Sequence, residues 1–573
     1  MKKPVIKNVY QTPENLRTIF RESAEKFGKK VVYKYFTSAN DVAEMTYSEL
    51  YNTYNAIGTA MSDRGLQFKK IAILSENRPE WIIAYGAIVG CGSVVIPLDK
   101  ELLPNQIESF LQYAETNAIF CSRSYLDKVL AMDLPNIQSI ICFDDYDKSN
   151  VTDKRCVSFA KMVYDGRKAL SKGSTVFADT RYDSSKMCAL LFTSGTTGTS
   201  KGVMLSEDNI TSNINACCNM INISSDNVLL SVLPMHHTYE LTAGQLSAIR
   251  LGVTICINNS LKYVMRNIKM FSPSVLVVVP LYVTTIKKKI CDEIKHRNKE
   301  NVINFGVKTT KALRKIGIDT RSIIFSEIRK SLGGKLNKIV CGGAATDPEA
   351  IEWFENIGIN ISQGYGITEC SPLVAVNPLV TAYYDSVGLP IPGTRVKIIG
   401  EKRGKEIDLP CGEIGEICVK GPSVMLGYYN AEEATKTAFT QEGYFRTGDY
   451  GYLNEEGFLF ITGRKKNIIV LNNGKNVYPE EIEEYLEKID SIKECVVVGR
   501  TKDSGEVVLT ALIYPDYDQF KGCTDKEIID KMRAEVANIN KSLASFKQVR
   551  SVEIQKEEFE KTTTKKIIRY KLS

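Results

Sequence analysis

Closely spaced cysteine and histidine motifs of the zinc-binding kind are missing from this 573-residue sequence. It has only three histidines, at positions 236, 237 and 296, and its fifteen cysteines are scattered with no Cys-x-x-Cys pair. A structural zinc site needs closely spaced cysteine and histidine ligands, so none is predicted. An odd number of scattered thiols also gives no disulfide framework. Free thiols indicate a reducing compartment, and we expect a cytoplasmic protein.

Two kinds of nucleophilic or phosphate-transfer motif are missing as well. No Gly-x-Ser-x-Gly elbow occurs where a strand turns into a helix, which excludes a typical serine hydrolase. The Asp and Asn set of a kinase catalytic loop is also absent. The sequence therefore shows no evident covalent nucleophile.

Long apolar runs are absent too. None reaches the ~20 residues that cross a bilayer, and residues 1–17 lack the apolar core of a signal peptide. We expect neither a membrane span nor secretion. The composition, 43% hydrophobic and 25% charged, is that of a globular protein with ample material for a core.

Positive charge is concentrated in one segment. The net charge is +7, and residues 287–315 hold ten Lys or Arg against three Asp or Glu, which accounts for the whole excess. Such a run is usually a solvated face. The sharper alternative is contact with acidic partners or with anionic lipid, peripherally at the inner membrane face. Few aromatic residues are interleaved, so nucleic acid is not an expected partner.

The most informative stretch follows an apolar run, 188–192, that reads as a buried strand. In the ten residues 193–202, nine side chains are hydroxyl-bearing or absent, and the tenth is Lys201. Glycines let backbone N–H groups approach a ligand, hydroxyls add donors, and the lysine adds positive charge, which together suit a polyphosphate. The spacing differs from the common Gly-Lys-Ser/Thr loop. A flexible linker is the alternative, and a helix capped by Ser206 is predicted to follow.

Strands and helices alternate along much of the chain. Apolar runs at 70–75, 93–98 and 118–121 are separated by helical patterns, which predicts parallel sheets covered on both faces. Residues 122–186 read as polar and irregular, 284–333 as helical, and 385–463 as short glycine-punctuated strands. After Gly463 the pattern becomes a small α+β domain whose first helix opens at Pro479.

Several motifs in this order resemble the adenylate-forming superfamily of acyl-CoA synthetases, peptide-synthetase adenylation domains and luciferases. They are 193–202, Tyr-Gly-Ile-Thr-Glu at 365–369, Tyr-Phe-Arg-Thr-Gly-Asp at 444–449, Gly-Arg-Lys-Lys-Asn at 463–467 and Thr-Thr-Thr-Lys-Lys-Ile at 562–567. The stretches 75–81 and 96–102 resemble the acyl-CoA synthetase branch. The stretches 75–81 and 236–240 and the basic helical segment are most similar to long-chain fatty acyl-CoA synthetases.

The resemblance implies a fold and a reaction. The expected fold class is α/β: an N-terminal domain, 1–464, of two parallel-sheet subdomains plus a β-rich subdomain at about 385–463, and a small mobile α+β domain, 465–573. The expected reaction converts ATP and a carboxylate, most simply a medium- or long-chain fatty acid, to acyl-AMP and pyrophosphate. The acyl group then passes to CoA. ATP, Mg²⁺ and CoA are the expected cofactors.

The resemblance also implies site residues. Glu369 would hold Mg²⁺, in keeping with the preference of a hard cation for oxygen, and Asp449 would accept from both ribose hydroxyls. Thr196 and Glu369 are expected to be catalytic. The full nucleotide set is Thr193, Ser194, Gly195, Thr196, Thr197, Gly198, Lys201, Gly343, Ala344, Tyr365, Gly366, Thr368, Asp449 and Arg464.

The remaining assignments concern the acyl substrate and the small domain. His237 would act beside the carboxylate, with Tyr239 as a second substrate residue; a core histidine pair is the alternative. Lys566 aligns with the catalytic lysine, although Lys565 stands where the family usually has glycine. Lys466 matches the hinge, and Gly474 lies in the loop expected to line the CoA tunnel.

Two rivals remain open from the sequence. A synthetase could load the acyl group onto a carrier protein's phosphopantetheine in place of CoA. Alternatively, the chain could be a non-catalytic nucleotide- or fatty-acid-binding protein that kept the fold. The presence of Lys201, Glu369, Asp449 and Lys566 together argues against the second.

Overall fold

The computed structural model describes residues 10–147, 149–193, 201–378, 383–402, 404–472, 475–502, 506–561, 567–569 and 572. These residues form two compact units. The first contains 10–193, 201–395 and 420–437, and the second contains 396–419 and 438–572. The predicted α/β class is confirmed: the first unit holds two largely parallel sheets, and the second holds an antiparallel sheet and a small α+β layer.

The larger sheet of the first unit has nine strands. Six neighbours run parallel in its centre, and antiparallel strands close both edges. In spatial order the strands are Leu389–Pro390, Leu373–Val376, Asn360–Gly366, Lys338–Gly342, Val275–Val278, Val228–Ser231, Thr254–Ile257, Val31–Phe36 and Val42–Thr46.

The second sheet of this unit has eight strands, again parallel in the middle. Its antiparallel edge is a hairpin with a short additional strand. In spatial order the strands are Gly427–Tyr428, Lys201–Ser206, Met187–Thr193, Val94–Pro97, Lys70–Leu74, Ala118–Cys121, Ser139–Cys142 and Cys156–Ser158.

Helices cover these sheets, and their ends follow local capping rules. Thr46 and Ser206 cap their helices, each through a reciprocal box with the residue three positions on. Pro79 stands in the first turn of a helix whose residues are all nearly buried between layers. The helices are Leu16–Phe27, Tyr47–Asp63, Pro79–Gly90, Pro104–Tyr113, Arg123–Leu130, Phe159–Ser171, Glu207–Met220, the π-helix Glu240–Leu246, Ser247–Arg250, Val264–Phe271, Pro280–His296, Glu300–Lys315, Arg321–Ile324, Ser326–Ser331, Pro348–Asn356 and Glu432–Ala438.

The second unit is built from short strands and two main helices. Its five-stranded sheet has the order Lys405–Asp408, Arg395–Lys402, Gly415–Lys420, Phe445–Leu453 and Leu459–Arg464. The C-terminal layer has the strands Ile492–Thr501, Val507–Pro515 and Ser551–Ile554, the small pair Ile469–Val470 and Asn476–Val477, and the helices Pro479–Leu486 and Asp525–Asn540. Buried residues of these elements form one core, in which Leu486 and Met532 are fully covered.

Two of the sequence predictions are wrong. Residues 122–186 are not irregular, because they contain two strands of the eight-stranded sheet and two helices. The polar residues that suggested a loop lie on exposed helix faces, such as Lys161 and Lys168. The second error concerns the stretch after Thr193. A strand, Lys201–Ser206, stands between it and the next helix, and it pairs antiparallel with Met187–Thr193.

The cysteines are free, and most of them are packed inside the protein. All fifteen cysteines are unpaired, and eleven of them are buried. Burial raises the pKa of the Cys91, Cys217 and Cys341 thiols to about 12. In the part of the chain that the structure describes, no helix is both long and apolar enough to cross a bilayer.

Candidate active site

Predicted site residues of the first unit follow parallel strands that end side by side. Ligand sites of such sheets lie beyond the carboxyl ends of the strands. In the nine-stranded sheet, Val228–Ser231, Val275–Val278, Lys338–Gly342 and Asn360–Gly366 are consecutive neighbours. The motifs at 234–240, 343–344 and 368–369 all follow these ends. The sheet therefore gathers segments more than a hundred residues apart in sequence.

The first of these segments is a turn that carries both histidines. Asn77 holds it from the neighbouring sheet: its Nδ2 donates to the carbonyl of Leu233 at 2.7 Å, and its Oδ1 accepts from the backbone N–H of Met235 at 3.0 Å. The rings of His236 and His237 lie 4.2 Å apart between centroids. Asn77 and the histidines come from two motifs that were singled out separately in the sequence.

A carboxylate also reaches this turn. Asp99 Oδ2 lies 3.5 Å from His236 Nε2, and possible ligand atoms of Asp99, His236 and His237 all lie within 4.8 Å of one another. The Nε2 atom of His236 is buried, and no hydrogen-bond partner for it is found among the described residues. Asp99 therefore places a carboxylate beside His236, whose neighbour His237 is the histidine expected to act on the substrate carboxylate.

Tyr239 has a structural task at the same edge. Its hydroxyl donates to the carbonyls of Val278 and Val340, at 3.2 and 3.0 Å, and so ties together the ends of two parallel strands. The ring also lies near Gly342, where an added Cβ would meet it at 3.4 Å. Tyr239 therefore packs against the ends of these strands. Its contact with the substrate remains a prediction.

The next residue, Glu240, begins a π-helix, a local form often found at functional sites. Its side chain is fully buried. Oε1 accepts from Ser231 Oγ at 2.5 Å and from Gln245 Nε2 at 2.8 Å. Burial raises the pKa of Glu240 to about 7, and the two hydrogen bonds offset only part of this effect. Glu240 thus anchors the helix that follows the histidine turn.

The aromatic-to-glutamate motif lies at the end of Asn360–Gly366. Tyr365 is in the strand and is only 7% exposed, so its ring is mostly packed. Thr368 and Glu369 follow in a single 3₁₀ turn. Gly343, on the adjacent strand end, has a φ of +91°, and an added Cβ would meet only the Val279 side chain. The backbone there is open enough for a ligand to approach.

A lysine, a tyrosine and a carboxylate form a polar cluster in the first unit. Tyr428 Oη donates to Glu369 Oε1 at 3.1 Å, and Lys201 Nζ lies 4.7 Å from the centre of the Tyr428 ring. Burial, and then the Glu369 charge, raise the pKa of Tyr428 above its usual value. We call Lys201, Glu369 and Tyr428 the cation cluster.

Backbone pairing explains how the cation cluster forms. Lys201 is the first residue of its strand and pairs with Thr193 on the neighbouring strand. The Oγ1 of Thr193 donates to the Lys201 carbonyl at 3.4 Å. Gly427–Tyr428 then pairs with the same strand. Tyr428 was missed from the sequence, because a tyrosine 59 residues after Glu369 gives no local signal.

The second unit holds the predicted ribose residue. Asp449 and Arg464 face each other on neighbouring antiparallel strands, and Arg464 Nε lies 2.7 Å from Asp449 Oδ1. The Asp449 side chain is 4% exposed, and its backbone N–H donates to Thr447 Oγ1 at 3.1 Å. A buried carboxylate fixed in this way is a suitable acceptor for a diol. The structure pairs two residues that the sequence placed in separate motifs.

Lys466 lies immediately after this pair, in the 3₁₀ turn Lys465–Asn467. Its neighbour Lys465 is held by Glu416, with 2.9 Å between Nζ and Oε2. Loss of hydration, and then repulsion from the Arg464 guanidinium, lower the pKa of Lys466. Further along, Asn467 donates to Glu480 at 2.6 Å. Lys466 is therefore flanked by two anchored residues.

Several predicted residues lie outside the described part of the chain: Ser194, Gly195, Thr196, Thr197, Gly198, Gly474 and Lys566. Their assignments stay predictions. Near the last of them, Arg569 donates to both carboxylate oxygens of the buried Glu483, with 2.8 Å for the Nη1–Oε1 contact. Ile567 forms a bridge with Lys561. Described residues on both sides of 562–566 are thus anchored to the second unit.

The donor chemistry of the first unit fits a magnesium nucleotide. Glu369 offers the carboxylate oxygen that Mg²⁺ prefers, and Lys201 adds a positive charge in the same cluster. The open backbone at Gly343 suits close approach of a ligand. No serine, cysteine or threonine nucleophile is needed for such a site, because its task is to hold and neutralise phosphate charge.

Two known family models match this chain. Residues 20–429 match the family model described as AMP-binding enzyme, and residues 466–573 match the model described as AMP-binding enzyme C-terminal domain. The first match alone extends over more than half of the chain.

Curated relatives and solved structures are similar over most of their length. Long chain acyl-CoA synthetase 6, peroxisomal, of Arabidopsis thaliana is 28% identical over 509 residues, which are 86% of this chain and 71% of the relative. Long-chain-fatty-acid--CoA ligase 1 of Cavia porcellus is 27% identical over 90% of this chain and 78% of its own. The anthranilate CoA ligase AuaEII in complex with anthranoyl-AMP superposes with a TM-score of 0.78 at 19% identity, covering 98% of this chain and 97% of that one. At that identity, the structural likeness speaks for the fold.

Proposed function

Because the chain belongs to the AMP-binding enzyme family, we propose that it is an AMP-forming fatty acyl-CoA ligase. It activates a medium- or long-chain fatty acid with ATP, releases pyrophosphate, and passes the acyl group to the thiol of CoA. Relatives named as long-chain acyl-CoA synthetases or ligases support this substrate class.

The cation cluster is the observation that carries the proposal. Attack of a carboxylate on the α-phosphate brings two anions together, so the site must supply positive charge and alignment. Lys201 and Glu369 lie on either side of Tyr428, at a 4.7 Å ring contact and a 3.1 Å hydrogen bond. Glu369 would hold Mg²⁺, which neutralises phosphate charge when bound. The glycine- and hydroxyl-rich loop 193–201 would hold the β- and γ-phosphates.

The rest of the reaction is assigned to residues in both units. His237 would orient the carboxylate, and the Asp99 carboxylate lies 3.5 Å from His236 in the same turn. Asp449 would hold the ribose, supported by Arg464 at 2.7 Å. Lys566 would bridge the carboxylate and the α-phosphate oxygens. The domain division 1–464 and 465–573, the hinge at Lys466 and the Gly474 tunnel loop complete a scheme in which the small domain serves adenylation first and thioester formation second.

Partners and location are part of the same proposal. CoA is the proposed acceptor, and a carrier protein's phosphopantetheine is the alternative thiol. We place the protein in the cytoplasm, with peripheral contact at the inner membrane face through 287–315. The reduced state of all fifteen cysteines is consistent with that compartment.

ATP–pyrophosphate exchange across carboxylates from acetate to long-chain and aryl acids tests the activity. We expect carboxylate-dependent exchange that is greatest for fatty acids, followed by CoA thioester formation when CoA is added. No exchange with any acid would favour the non-catalytic binding protein. Acyl transfer to a purified carrier protein but not to CoA would favour the carrier-loading enzyme.

A further inference from the structure

An apolar stripe faces outward from the basic segment of the first unit. It consists of six residues on or next to the helix Glu300–Lys315, namely Val302, Phe305, Ile316, Ile318, Ile323 and Ile324. Three of them, Ile323, Phe305 and Ile316, are 73%, 72% and 70% exposed, the highest values among the large hydrophobic residues. Exposed single hydrophobic residues are common, but a group this dense marks a contact surface.

Helix geometry places the stripe away from the core. Val302 and Phe305 are three residues apart, and steps of four, three and four residues from Phe305 reach Ile316, so all lie on one side. A neighbouring side of the helix is packed: Gly306 and Thr310 are buried, and a Cβ at Gly306 would meet Ile324 Cγ2 at 3.0 Å. The contact with Ile324 also brings the segment Arg321–Ile324 next to the stripe.

Charge on this helix divides into paired and unpaired residues. Lys311 lies 2.8 Å from Glu352, and Arg314 lies 3.0 Å from Glu355, so both are tied to the protein. Lys308 and Lys315 have no carboxylate within ion-pair distance among the described residues, and they lie two turns apart on the flank next to Phe305. An apolar stripe bordered by lysines is the pattern of a helix lying in a membrane interface.

We propose that this stripe docks the protein on an anionic lipid bilayer, with the apolar side chains in the acyl boundary and Lys308 and Lys315 at the headgroups. The inference deepens the proposed function and rests on it, since a bilayer is where long-chain fatty acids partition. A second copy of the chain is a poorer occupant, because a two-fold contact would bring the same lysines together. The proposed membrane contact is thereby assigned to an apolar face within residues 302–324, which overlaps only the end of the basic segment 287–315.

Vesicle flotation with the full chain tests the docking surface. Vesicles of phosphatidylcholine mixed with phosphatidylglycerol are compared with phosphatidylcholine alone, at low and high salt. The test variant replaces Phe305, Ile316 and Ile323 by serine. The matched control is Tyr164→Ser, on the helix Phe159–Ser171, since Tyr164 is 61% exposed but lies outside the stripe.

We expect the parent and Tyr164→Ser to float with the anionic vesicles, more weakly at high salt, and the triple variant to bind at least about tenfold less. Exchange activity with a soluble medium-chain acid should be equal in all three proteins. Parent and triple variant floating equally, or neither floating, would overturn the proposal. So would a parent dimer in solution that the triple variant dissolves. Failure of the proposed function would instead appear as absent exchange in every protein, whatever the vesicle result.

Discussion

At the scale of single residues, Tyr428 connects the two charged groups of the cation cluster. It donates to the Glu369 carboxylate and lies under the Lys201 ammonium group. A group that orients a metal-binding carboxylate sets metal affinity although it does not touch the metal. Tyr428 is therefore a positioning residue in the proposed reaction.

Tyr428→Phe should raise the Mg²⁺ concentration needed for half-maximal pyrophosphate exchange by about tenfold, because the ring stays over Lys201 but the donor to Glu369 is lost. Titration of exchange with Mg²⁺ measures this. Tyr429→Phe is the matched control. The hydroxyl of Tyr429 accepts a hydrogen bond from Lys70 Nζ at 2.6 Å, and neither residue is assigned to the site. An unchanged Mg²⁺ requirement in Tyr428→Phe would remove the positioning role.

Lys566→Ala should slow acyl-AMP formation by at least about a hundredfold, because the bridging positive charge is lost. Thioester formation from supplied acyl-AMP should be nearly normal. The two half-reactions are measured separately, by exchange and by CoA consumption. Lys565→Ala, the neighbouring lysine, should change neither by more than about threefold. The reverse pattern would assign the reaction to Lys565, and equal loss in both halves would contradict the two-step scheme.

Candidate site residues could be named from the sequence where one short motif carries them, as for Glu369, Asp449 and Lys201, and their roles stay predictions. Their contacts could not, because Tyr428, Asn77 and Asp99 reach the site through pairing of distant strands. Local spacing holds no information on such pairs. The burial that shifts the pKa of Glu240 is likewise a property of the packed molecule.

At the scale of secondary structure, the π-helix Glu240–Leu246 contains a buried acid with a pH-dependent cost. Its folded pKa of about 7 lies above the ordinary 4.5, so the folded state holds the proton more strongly than the unfolded state does. Stability is therefore lost as pH rises from about 5 to about 7, and the loss is complete above that.

Glu240→Gln should remove this cost, because an amide can still accept from Ser231 and Gln245 without ionising. The variant should be close to the parent near pH 5 and more stable by up to about 3 kcal/mol near pH 8. Thermal unfolding at both pH values measures the difference. Glu433→Gln, with a side chain that is 84% exposed, should give no such trend. A constant difference at both pH values would mean that Glu240 is not protonated in the fold.

Elements were predictable where hydrophobic periodicity is strong. The alternation of apolar runs and amphipathic stretches correctly indicated parallel sheets, since those strands are buried on both faces. The strand Lys201–Ser206 was missed because its glycine and serine neighbours are typical of a loop. The helices within 122–186 were missed because each buries only two or three side chains, which leaves a weak pattern.

At the scale of the whole molecule, the proposed reaction depends on rotation about Lys466. Asn467, the last residue of the turn Lys465–Asn467, is anchored because its side chain donates a hydrogen bond to Glu480. A rotation in this region must be absorbed by the backbone dihedral angles of very few residues. Rigidity introduced there should affect only the step that needs the second domain position.

Lys466→Pro should leave pyrophosphate exchange within about threefold of the parent and slow thioester formation by about tenfold or more, because proline fixes φ and restricts Lys465. Single-turnover transfer from acyl-AMP to CoA measures the second step. Lys466→Ala separates the lost side chain from the stiffened backbone and should retain both steps. Normal transfer in the proline variant would place the hinge elsewhere.

The buried thiols can serve as natural reporters of unfolding, because they become reactive only where the structure opens. Cys411 and Cys523 are exposed, and both lie in the second unit, whereas nine of the eleven cysteines of the first unit are buried. In the native state, alkylating reagents at neutral pH should therefore react first with Cys411 and Cys523. A brief alkylation pulse during gradual denaturation, followed by mapping of the tagged peptides, would therefore show which unit loses its structure first. It requires no engineered label, and the order of tagging would tell whether the two units melt together or apart.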